Sequence, residues 1–134
     1  MIELPEGMNW YLAKLVYRII SGDGNHTAQF DVQYRLVRAE EADWALEKAN
    51  ILGRIGESTF ENAKRESVKW KFIAVEDVSK IPVLDDGAQL YGQIFELHDP
   101  REYVEAAHAR SQRLLEQDPS MIDNVKPNDL LISA

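Results

Sequence analysis

The sequence contains no cysteine, and that absence removes disulfide staples, thiol catalysis and thiolate-ligated zinc. It does not separate compartments, because proteins inside and outside the cell can both do without the residue. Long apolar runs are also missing. No stretch approaches the roughly 20 residues that carry a helix across a bilayer, so no membrane partner is expected. The opening Met1-Ile2-Glu3-Leu4-Pro5-Glu6-Gly7 lacks a basic region followed by an apolar one. No signal peptide is therefore expected, and the cytoplasm is the expected location. Positive charge is scarce: 15 Lys and Arg stand against 23 Asp and Glu, a formal net charge of −8. Nucleic acid is not an expected partner, because phosphate binding needs a concentrated basic face that can release counterions. Lys64, Arg65, Lys69 and Lys71 cluster in sequence, but the overall charge outweighs so small a group. No phosphate loop, nucleophile elbow, dinucleotide fingerprint or zinc-binding helix pair occurs.

What is present suffices for one domain with a core: 134 residues, 45% of them hydrophobic. The chain is organised around Asn9 to Val37, two apolar-rich segments joined by Ser-Gly-Asp-Gly-Asn-His. In the first, Trp10 to Ile20, the odd positions Tyr11, Ala13, Leu15, Tyr17 and Ile19 are all apolar or aromatic, and the even positions are mixed. Such a strand has one face fully buried and the other partly so, and belongs at the centre of a sheet. The second, Thr27 to Val37, alternates cleanly: Ala28, Phe30, Val32, Tyr34 and Leu36 against Gln29, Asp31, Gln33 and Arg35. That predicts an antiparallel strand with one wet face. Gly22, Asp23, Gly24 and Asn25 make the turn between them.

A helix is predicted from Glu40 to Gly53 or Gly56, packing through Ala42, Ala45, Leu46, Ala49 and Leu52. A second stripe, Trp44, Lys48, Ile51 and Ile55, lies to one side. Ser58 to Asn62 is read as a short helical turn. Ser67 to Val75 and Ala88 to Leu97 are read as third and fourth strands, with a loop from Glu76 to Gly87 between them. Asp99-Pro100-Arg101-Glu102 is a helix start, with Asp99 as cap, Pro100 at the first position and Glu102 reaching back. That helix should run to about Gln117 and bury Val104, Ala107, Ser111, Leu114 and Leu115. The predicted fold is α+β, in the order β-β-α-β-β-α: a four-stranded, mainly antiparallel sheet with two helices packed on one face. Residues 1–117 form the expected domain, and the apolar, proline-containing tail 118–134 is expected to dock on it or on a partner chain.

Asn9-Trp10-Tyr11-Leu12-Ala13-Lys14-Leu15-Val16-Tyr17, followed by Gly22-Asp23-Gly24-Asn25-His26-Thr27-Ala28-Gln29-Phe30-Asp31, resembles a bacterial family. So does Val68-Lys69-Trp70-Lys71-Phe72-Ile73 with Asp86-Gly87-Ala88. It is the domain-of-unknown-function family 4288, and the resemblance spans roughly Asn9 to Asp99. It implies a bacterial source and carries no catalytic residue, because the family is functionally uncharacterised.

Two places could hold chemistry. At the turn, Asp23 and His26 could ligate a metal or bind an anion. One His and one Asp make a thin ligand set, so turn formation is the stronger reading and no metal or other cofactor is expected. Further on, Glu96 and His98 are two apart on a predicted strand, beside Asp99, and could serve as an acid–base pair. Against this, Asp99 is already engaged as a helix cap. His108 is read as a surface or boundary residue.

Three tryptophans, Trp10, Trp44 and Trp70, carry a different suggestion. Each is ordinarily core, yet one helical layer covers only one face of a sheet whose first, third and fourth strands carry apolar residues on both. A second copy is the simplest cover, which makes these tryptophans candidate interface residues. The favoured reading is a non-catalytic interaction or assembly module acting as a homodimer, rather than an enzyme. Two alternatives stand beside it. One is an acidic binder of a basic partner, of the toxin-neutralising type, suggested by the charge. The other is a small ligand-binding protein or enzyme, with a pocket between sheet and helices using Tyr17, Tyr34, His98 or Glu96.

Overall fold

The computed structural model describes residues 4–116. The expected docking of the 118–134 tail lies outside them. The chain divides into two compact units, residues 1–93 and 94–134. In the first, β1 (Asn9–Ser21) and β2 (Gln29–Ala39) are followed by α1 (Ala42–Ile55), β3 (Ser58–Glu61) and β4 (Ser67–Ile81). The described part of the second holds α2 (Pro100–Glu116). The fold is therefore α+β in the order β-β-α-β-β-α, with a four-stranded sheet ordered β2-β1-β4-β3 and every pair antiparallel.

β1 is central, as its two apolar faces require. Tyr11, Ala13, Leu15, Tyr17 and Ile19 are all at most 5% exposed, and Leu12 and Val16 on the other face are also buried. α1 lies over the odd-numbered face. Ala45, Ala49 and Gly53 are its buried residues, and their small size lets the helix axis approach the sheet. Gly53, one of two expected helix stops, instead sits inside the helix, where a Cβ would come 2.3 Å from Cε1 of Phe72. The helix ends at Gly56, whose N–H bonds the Leu52 carbonyl at 3.0 Å. It begins at Ala42, after Glu41, and no side chain caps it.

The strands after α1 differ from expectation. Ser58–Glu61 is not a helical turn but the edge strand β3, paired with Ser67 to Trp70. β4 does not stop at Val75. It continues to Ile81, immediately before Pro82, whose missing N–H cannot extend the ladder. Two irregularities carry it through: the register against β1 skips Glu76 and Ile73, and such bulges bend and twist a strand. Glu76 then pairs with Lys14 at 3.0 Å.

Residues 88–97 form no strand. They carry apolar residues in both alternate rows, but a strand exists only where a neighbour accepts its backbone hydrogen bonds, and these residues join no strand of the sheet. In the second unit the predicted cap is in place: Asp99 Oδ1 accepts the Arg101 N–H at 3.0 Å. The expected burial along α2 is not found. None of its residues is buried; Val104, Leu114 and Leu115 are 48%, 59% and 79% exposed, and Ala107 is half-buried.

Candidate functional site

The register of the β1–β2 hairpin decides which row of β2 faces α1. Residues directly opposite in a ladder share a face. Tyr17 pairs with Asp31, Leu15 with Gln33, Ala13 with Arg35 and Tyr11 with Val37. The polar row of β2 therefore lies on the helix side of the sheet. Its apolar row, Phe30, Val32, Tyr34 and Leu36, lies on the opposite side and is 45–58% exposed. Tyr91 partly covers that side, its ring centroid 5.6 Å from that of Tyr34.

On the helix side the polar row is half-buried and internally bonded. Arg35 donates through Nε and Nη2 to Gln33 Oε1 at 3.1 and 2.7 Å. Gln33 in turn donates to Asp31 Oδ2 at 2.6 Å. The same carboxylate oxygen accepts the Trp70 indole N–H at 3.1 Å, reaching across β1. Trp70, 8% exposed, stacks on Phe60 with centroids 5.6 Å apart. Tyr17 donates its hydroxyl to the Gly53 carbonyl at 2.8 Å, one of the last α1 carbonyls that no helical N–H can reach. Burial raises the Tyr17 pKa above its ordinary 10.0; Arg35 opposes this, and Asp31 and Glu57 reinforce it. A hydroxyl held protonated and engaged with the backbone is a structural group, not an acid or base near neutral pH.

The residues singled out from sequence occupy separate places. Asp23 Oδ1 accepts the Asn25 N–H at 2.9 Å, shaping the turn. His26 Nε2 accepts the Ser21 N–H at 3.0 Å, and Nδ1 lies 2.8 Å from the Thr27 carbonyl. That geometry fits a neutral ring protonated at Nδ1, with both nitrogens occupied. Among the described residues, no group of three or more His, Asp or Glu side chains is placed to hold a metal ion.

Glu96 and His98 are exposed and lie on no strand, so two-residue spacing no longer sets them on one face. His98 and Asp99 do line a shallow open hollow with Leu97, Glu102, Tyr103 and Ala106. The Tyr103 ring meets that of Phe95 edge-on, centroids 5.1 Å apart, and the Arg110 guanidinium lies over it, 5.9 Å from its centroid. Tyr17 and Tyr34 fall on opposite faces of the sheet and share no pocket. Of the tryptophans, Trp10 is half-buried, Trp70 is core and Trp44 is 60% exposed on α1.

The feature that sequence reasoning missed is the outer edge of β2, unpaired among the described residues, and which of its two rows faces α1. The alternation was visible; the side covered by α1 was not.

Residues 10–92 match the family described as Domain of unknown function (DUF4288). No curated protein and no solved structure matches the chain. Among the described residues, no helix is long and apolar enough to cross a membrane.

Proposed function

Because the chain belongs to the DUF4288 family, which brings no reaction with it, we propose a function from geometry: a non-catalytic interaction module that works as a homodimer. The observation that carries this reading is the exposed row Phe30, Val32, Tyr34 and Leu36 on an 11-residue edge strand. Four large apolar side chains in line are costly to leave in water, at about 25 cal/mol for each Å² of apolar surface. Contiguous patches of this kind mark association surfaces. The groups that could do chemistry support the same reading, since Asp23, His26, Tyr17 and Asp99 are all engaged with backbone.

Light scattering across the micromolar range tests it. The expected result is twice the chain mass; a monomer mass at every concentration would sink the proposal. Recovery of a basic protein bound to the monomer would instead favour the charge-based alternative.

A further inference from the structure

Among the described residues, no segment pairs with the outer edge of β2. Natural sheets blunt their edges with charged side chains (lysine above all), proline, bulges or short strands, and of these β2 has only Asp31, Arg35 and Arg38. β2 is long, contains no Lys, Pro or Gly, and pairs with β1 without a break from Gln29 to Ala39. Among the described residues its outward N–H and C=O groups make no backbone hydrogen bond. The Lys48 ammonium takes the Arg38 carbonyl at 3.2 Å and marks the end of the open stretch.

Asp31 and Arg35 form no ion pair within the described chain. They are linked only through Gln33, which leaves Asp31 Oδ1 and Arg35 Nη1 without a partner there.

We propose that two copies pair antiparallel through β2, centred on Gln33, giving one continuous eight-stranded sheet. This rests on the homodimer reading above and adds its register. A two-fold axis perpendicular to a sheet keeps each row on its own face, so only pairings of like parity are allowed. Centred on Gln33, Asp31 lies opposite Arg35 of the second copy, twice by symmetry. Phe30 meets Leu36 and Val32 meets Tyr34, joining the two apolar rows. The neighbouring registers are worse. Centring on Asp31 or on Arg35 sets like charges face to face. Centring on Tyr34 places Phe30 against Arg38 and Asp31 against Val37, and centring on Val32 leaves both charges facing glutamines. Opposite charges directly across a ladder are favourable and like charges are not. The strand is complementary to itself in one register only.

The chain's lack of cysteine makes a single introduced thiol diagnostic. Under mild oxidation, full-length Gln33→Cys should give a disulfide-linked dimer, since residues directly opposite have Cβ atoms about 5 Å apart. Gln29→Cys should not, because its two copies would lie roughly 25 Å apart at about 3.3 Å per residue. Asp31→Arg should weaken self-association about tenfold or more by setting like charges opposite each other. The double variant Asp31→Arg/Arg35→Asp should recover it, with circular dichroism confirming that each variant is folded. A dimer that fails to cross-link through Gln33→Cys, or that the charge swap does not restore, overturns the register while the homodimer reading survives. A monomer throughout overturns both.

Discussion

Gly53 leaves the space that the Phe72 ring occupies. Alanine is worth about 1 kcal/mol more than glycine inside a helix, so Gly53→Ala might be expected to stabilise α1. The Phe72 ring, however, is held against Tyr17 at 5.6 Å and cannot retreat cheaply, and overpacking costs about 1–3 kcal/mol. The substitution should therefore lower stability by about 1 kcal/mol net, read as a lower urea midpoint; an unchanged or higher midpoint would show that the ring moves freely. Tyr17 gives a pH dependence with a definite sign. Its folded pKa is raised above 10.0 by burial, so its contribution is complete below about pH 10 and is lost as pH rises through the folded value. Urea midpoints measured across the alkaline range should fall for the parent chain. In Tyr17→Phe they should start lower, by the equivalent of about 1 kcal/mol of stability for the lost hydrogen bond, and decline less. A parallel decline would assign the alkaline loss to another group.

Elements are where sequence and structure diverged, and the divergences have one cause. The hairpin and both helices carry local signals: alternation, turn glycines, an Asp-Pro start. These appear within a residue or two of where they were expected. β3 and the far half of β4 exist because of partners distant in sequence. Phe60 pairs with Val68 and Ile81 with Trp10, and no local pattern announces either contact. Residues 88–97 show the converse, since they carry strand composition and yet join no ladder. α2 has a capped start and none of its residues is buried, while every core residue among those described lies between Tyr11 and Ile81. A chain ending at Gln93 should thus keep a cooperative thermal transition, with a midpoint within about 5 °C of the full chain. Loss of the cooperative transition would show that the 94–134 unit supports the sheet.

At the scale of the whole molecule, the charge of −8 opposes any encounter of two copies, and salt screens that repulsion within about 10 Å at 0.1 M. The proposed homodimer should hold or strengthen as ionic strength rises, whereas a complex with a basic partner should weaken, so the same light-scattering series separates them. The acidic balance, the central position of β1, the capped start of α2 and the two rows of β2 all follow from the sequence by itself, because each depends on neighbours a few residues apart. Which row of β2 lies beneath α1 depends on the hairpin register and on the side to which α1 crosses. The partners of β3, the run of β4 through its bulges and the edge position of β2 depend likewise on contacts between distant segments. Those were decided by tertiary structure alone, because pairing and cover are properties of what a strand meets.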